Sequence, residues 1–136
     1  MKYLTVIITA LLILTANTAI AQSNNDQAVY ELRIYTTNEG KLDALHARFR
    51  DHTIKIFNKY SMESIGYWTP ADKPNTLIYI IKHKSMDAAK KSWHDFSEDA
   101  DWKIVAVETN KNGPILAAPP QSTYMYATDY SLNFLK

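Results

Sequence analysis

The order in which the apolar residues change period constrains this fold more than any other feature. Residues 29–37, VYELRIYTT, alternate, with Tyr30, Leu32 and Ile34 on one face and Glu31, Arg33 and Tyr35 on the other, which is a strand with two differently loaded faces. Asn38-Glu39-Gly40 breaks it. From Lys41 to about Tyr60 the period becomes helical: at about 100° per residue Leu42, Leu45, Phe49, Ile56 and Tyr60 share a face, with His52 on its margin. Residues 62–70, MESIGYWTP, return as a strand that stops at Pro70. The turn-rich loop 71–75 then leads to TLIYIIKHK, a third strand, so these two form an antiparallel hairpin. Ser85 is placed to cap a second helix with the stripe Met86, Ala89, Trp93, Phe96 and Ala100. A shorter helical piece covers about 101–110, a loop follows around Gly113, Pro114, Pro119 and Pro120, and STYMYATDY, residues 122–130, is a fourth strand.

Strand, helix, strand, strand, helix, strand is the split βαβ order. It predicts an α+β, ferredoxin-like β-α-β-β-α-β architecture, an antiparallel sheet with its helices on one face. The other face is then bare. On the third strand Leu77, Tyr79 and Ile81 oppose Ile78, Ile80 and Lys82, so both faces carry apolar side chains that a solvated face does not need. The expected remedy is a homodimer packed sheet to sheet.

Residues 1–21 open with Lys2, run through an apolar stretch from about Tyr3 to Leu14 and end Ala19-Ile20-Ala21, the pattern of a secretory signal peptide. The apolar stretch is short of the roughly 20 residues of a membrane span. Cleavage near Ala21-Gln22 sends the chain to the periplasm or outside the cell, with no membrane association afterwards. Of 136 residues 115 then remain, 14 basic against 14 acidic. A neutral chain without a basic stripe gives no reason to expect nucleic acid, and the absence of cysteine leaves an exported protein without disulfides. Residues 22–27 are a short polar tail, and 28–136 form a single domain. Sixteen aromatic residues, nine of them Tyr, are available for core, interface or pocket.

Few residues offer chemistry. The chain has no glycine-rich phosphate loop, no G-x-S-x-G and no cysteine nucleophile. The four histidines show no metal-ligand spacing, so neither metal nor cofactor is expected. His52 is the one candidate base, either acting in the gap between helix and sheet or holding the helix to the sheet by a hydrogen bond. Thr53 beside it is a possible hydrogen-bond partner for a ligand. The other candidates for ligand contact are Arg33, Tyr35, Tyr67, Trp68, Tyr79, Trp93, Phe96 and Tyr126, whose polar-tipped rings suit a small apolar ligand or a dimer face. Arg33 pairs most simply with Glu31 or with an acid of a partner chain, and an anionic ligand is the sharper alternative.

Four motifs in order, YELRIYTTNEGKL, RDHTIKIFNKYSMESIGYW, LIYIIKHKSMDAAKKSWHDFSEDADW and ATDYS, resemble the NIPSNAP family over residues 29 to about 131. The resemblance implies a dimeric α+β barrel, in a superfamily that includes antibiotic-biosynthesis-type monooxygenases and haem-degrading enzymes, with sites in the helix-sheet gap. It carries characteristic family positions onto His52, Thr53, Tyr67, Trp68, Trp93, Phe96 and Trp102. Ala100 stands where the family usually has Pro. The functional expectation is an exported homodimer binding a small, partly apolar ligand or a protein partner; the alternative is a cofactor-independent monooxygenase or isomerase using His52 in the helix-sheet pocket.

Overall fold

The computed structural model describes residues 27–131. The expected signal peptide, residues 1–21, and nearly all of the polar tail lie outside them. Within them four strands, β1 (Val29–Thr36), β2 (Glu63–Trp68), β3 (Thr76–His83) and β4 (Gln121–Met125), make one sheet in the order β2-β3-β1-β4 with every neighbouring pair antiparallel. The ferredoxin-like order read from the periodicity is therefore the observed one. β4 is shorter than the expected 122–130. It is an edge strand whose only partner is β1; Met125 pairs with Tyr30, and β1 begins at Val29, so the ladder runs out.

The first helix runs in three parts: α1 (Leu42–Arg48), a π-helical segment Phe49–Thr53, and α2 (Ile54–Lys59). The π segment explains why the ideal projection misjudged which residues turn inward. An i→i+5 turn admits one extra residue, which rotates everything after it back by about 100°. Leu45, Phe49, Thr53 and Phe57 thereby keep facing the sheet, each at most 4% exposed, whereas His52 is carried to the outside. Thr53 Oγ1 donates to the Arg48 carbonyl at 3.2 Å, a side chain bonded into the widened turn.

The second helical unit is α3 (Met86–Glu98) followed by α4 (Ala100–Asn110). Ser85 caps α3 by accepting from the Ala88 amide, as expected. Asp99 caps α4, accepting from the Trp102 amide at 2.8 Å; its other oxygen accepts from Tyr60 Oη at 2.7 Å and Lys59 Nζ at 2.5 Å. Lys59, then Tyr60, then the amide hold the Asp99 carboxyl below its ordinary pKa. Ala100 is the first helical residue after that cap, where proline is favoured but not needed, so its replacement leaves the helix start intact.

The core lies between sheet and helices. Tyr35, Leu77, Tyr79 and Ile81 from the sheet meet Leu45, Phe49, Ile56, Phe57 and Phe96 from the helices. The opposite sheet face carries Leu32, Ile34, Ile78 and Ile80, all half-buried, with Trp68 about half exposed. A Cβ on Gly66 would stand 2.6 Å from the Trp68 ring, so the missing side chain is what makes room for the indole there.

Candidate functional site

The strand alternation sends Glu31, Arg33 and Tyr35 toward the helices, and the ladder sets Arg33 opposite Tyr79 on β3 and Ser122 on β4. Glu31 is fully buried. Its Oε1 accepts from Arg33 Nη1 at 2.7 Å and Ser122 Oγ at 2.7 Å, and its Oε2 accepts from Trp93 Nε1 at 2.5 Å and His83 Nε2 at 3.0 Å. An ionised carboxylate offers about four acceptor positions, so this one is saturated. Burial pushes its pKa up, but the hydrogen bonds from His83, Ser122, Trp93 and Arg33 prevail and hold it at about 2. The carboxylate can only accept, which assigns the His83 proton to Nε2; among the described residues His83 Nδ1 is buried without a partner.

Beside this centre is a second polar group with the opposite balance. The Arg33 guanidinium stacks on Trp93, 4.2 Å from the ring centroid, and reaches Tyr35 Oη at 3.5 Å. Tyr79 Oη donates to the same Tyr35 oxygen at 3.0 Å. Burial lifts the Tyr79 pKa well above that of a free phenol, with the neighbouring Tyr35 adding to it. Arg48, the last residue of α1, is 5% exposed. It lies 5.6 Å from the Trp102 ring centroid, and its charge is felt by Tyr35 and Tyr79. Among the described residues its guanidinium meets no carboxylate within ion-pair range, and its Nε–H is buried without an acceptor. Burial lowers its pKa, opposed by the two phenols. Arg33 shifts the other way: burial is outweighed by Tyr35, Tyr79 and Glu31, which stabilise its charge.

Rings wall this layer. Phe49 meets Tyr35, Tyr67 and Tyr79 edge-on at 5.1–5.8 Å, and Tyr67 stacks on Tyr79 at 5.5 Å. Of the ligand-contact candidates, Arg33, Tyr35, Thr53, Tyr67, Tyr79, Trp93 and Phe96 are therefore gathered between helices and sheet. Trp68 and Tyr126 are not. Trp68 pairs with Ile78 on the open sheet face, and Tyr126 borders a shallow groove there with Tyr30, Ile80 and Met125.

His52 must also be corrected in position. It neither reaches the helix-sheet gap nor holds the helix to the sheet. It lies exposed on an outer groove of about 540 Å³ between the first helix and α4, lined also by Asp51, Lys55, Ile56, Lys59, Asp101, Ile104 and Val105. The residues that sequence reasoning passed over are Arg48 and His83. Both had a signal: Arg48 is three residues after Leu45 on the apolar stripe, and His83 is in phase with Tyr79 and Ile81. Among the described residues no group of three or more His, Cys, Asp or Glu could hold a metal ion, and no helix is long and apolar enough to cross a membrane.

These features define a ferredoxin-like α+β protein with a charged, aromatic helix-sheet layer. The NIPSNAP family model matches residues 30–132, and the chain belongs to that family. A NIPSNAP-like domain protein from Burkholderia xenovorans superposes with a TM-score of 0.68 at 16% identity, over 79% of this chain and 90% of that one. A NIPSNAP family protein from Agrobacterium tumefaciens gives 0.68 at 21% identity, over 77% and 97%. A Nitrosomonas europaea protein provisionally designated an antibiotic biosynthesis monooxygenase shares the fold more distantly, with a TM-score of 0.56 at 12% identity over 78% and 95%. No curated protein matches the chain.

Proposed function

We propose that this NIPSNAP-domain chain is exported and works as a homodimer that binds a small, partly apolar ligand between helices and sheet. One observation carries the binding reading: the charged cluster of Glu31, Arg33 and His83 buried among aromatic rings. A buried ion pair is a poor way to stabilise a fold, since apolar residues of like volume often do as well or better. A layer that places charges, phenols and indoles together is suited to hold a ligand with both polar and apolar parts.

Dimerisation draws support from the open sheet face. Its half-buried Leu32, Ile34, Ile78 and Ile80 and the exposed Trp68 are what a second copy of the same sheet would cover. Export rests on the leader-like residues 1–21. Catalysis by His52 in the pocket loses its geometric footing, because the imidazole faces the outer groove.

Native mass spectrometry of the mature protein purified from the periplasm tests this reading. A dimer carrying a reproducible added mass of small-molecule size is expected. A bare dimer overturns ligand binding, and a bare monomer at micromolar concentration overturns both parts.

A further inference from the structure

The open face of the sheet carries a raised feature and a recess. The raised feature is Trp68 on the edge strand β2, half exposed, with its ring reaching over Gly66. The recess is the groove that Tyr126 borders, a cavity of about 170 Å³ lined also by Tyr30, Ile80, Met125, Ala127 and Ser131. The ladder sets the two at opposite corners of the face. Trp68 pairs with Ile78 and Ile78 with Ile34, whereas the groove is built on Tyr30, at the other end of β1, and on its β4 partner Met125. Two rows cross the face, Gly66-Ile80-Leu32-Thr123 and Trp68-Ile78-Ile34-Gln121, and neither contains an ionisable side chain; Lys82 stands in the next row, between Glu63 and Tyr30.

We propose that in the homodimer each Trp68 inserts into this groove of the other copy, so that two identical anchors join the faces. This rests on the dimer reading above and gives it an orientation. A two-fold axis lying between two such faces, midway between the corners, brings each indole to the opposite recess at once, which is the self-complementarity an isologous interface requires. Size agrees. An apolar cavity of about 150 Å³ takes up one benzene, so the groove has room for a single ring system and none for a strand or a helix. Charge agrees as well: the uncharged rows of one copy meet the uncharged rows of the other, and the 14 basic and 14 acidic residues beyond residue 21 leave no net charge to hold the copies apart. An exposed tryptophan that fills an apolar recess opposite is the kind of residue on which interface free energy concentrates.

Sedimentation velocity of the mature protein over a dilution series reads the dimer dissociation constant, and circular dichroism establishes that each variant is folded. The wild type is expected to be a dimer at micromolar concentration. Trp68→Ala should weaken it at least tenfold, with Trp68→Phe between the two, and Ala127→Phe, which fills the recess from its own side, should weaken it by a factor similar to Trp68→Ala. The double variant Trp68→Ala with Ala127→Phe should be hardly weaker than either single one, because the second substitution removes a contact already lost. A monomeric wild type overturns the dimer reading and this anchor with it. A wild-type dimer that Trp68→Ala weakens less than about threefold overturns the anchor and leaves the sheet-to-sheet dimer standing. Losses that multiply in the double variant, or an Ala127→Phe dimer as tight as the wild type, overturn the groove as the receiving site, which then belongs to another occupant.

Discussion

Glu31 and Arg48 sit in the same interior, both almost wholly out of water, and they are treated in opposite ways. Glu31 receives four donors from three elements and the helix above them. Arg48 receives no acceptor among the described residues, only the face of Trp102 and the distant phenols. One fold thus builds a complete shell for one charge and leaves the other, in the same layer, without a counter-charge among the described residues, so the two should act on stability in opposite senses. Local inconsistencies of the second kind are where function is to be sought.

The largest effect should come from breaking the complete half. Glu31→Ala leaves Arg33 and the His83, Trp93 and Ser122 donors without their acceptor, and removing one partner of a buried charge pair typically costs about 3–5 kcal/mol. Urea unfolding should show it as a fall in midpoint at constant slope. A loss under about 1 kcal/mol would mean the network contributes little to the fold, and the contrast with Arg48 would disappear.

Arg48→Met should go the other way. The substitution keeps most of the side chain's apolar length and removes a charge whose desolvation nothing repays, so the ligand-free protein should be unchanged or more stable, by up to about 2 kcal/mol. The same denaturation experiment reads it. Destabilisation of more than about 1 kcal/mol would show that Arg48 is paired in solution.

Acid sharpens the contrast further. Glu31 has its pKa lowered from 4.5 to about 2 in the fold, so its stabilising contribution is fully present above pH 4.5 and is lost as pH falls from there through 2. Asp99, held low by Lys59, Tyr60 and the Trp102 amide, weakens in the acid range as well. The informative quantity is thus the difference between the wild type and Glu31→Gln, which should narrow from pH 5 to pH 2. A difference independent of pH would mean that Glu31 is not ionised in the fold. Arg48→Met should show no comparable narrowing.

The complete half was partly legible in the sequence and the open half was not, for physical reasons. Strand periodicity is strict, so Glu31, Arg33 and Tyr35 had to share a face, and Ile81 and His83 with Tyr79; Glu31 was one of two acids expected for Arg33, and it is the observed partner. Strand order followed from the alternation of periods. The helix misled because an ideal 100° step carries no mark of a π turn: one extra residue put Thr53 and Phe57 inside, took His52 out and set Arg48 at the start of the widened turn. Trp68 and Tyr126 fell on the other sheet face because an aromatic residue announces burial without saying against what.

The smallest expected effect tests whether that π turn sets the open half of the comparison. Thr53 is 2% exposed, and its hydroxyl donates to the carbonyl of Arg48 itself. Thr53→Val keeps the shape but removes the donor, which should cost about 1 kcal/mol, the net worth of one buried hydrogen bond. The loss, read by urea unfolding, should match that of Ser92→Ala, which removes a side-chain bond of similar kind, to the Tyr60 carbonyl at 2.8 Å, between α3 and the end of α2. A loss well above that of Ser92→Ala would show that the Thr53 hydroxyl holds the widened turn, and Arg48 with it. Equal losses would make the π segment a packing adjustment, with Arg48 held by Trp102 and the surrounding rings alone.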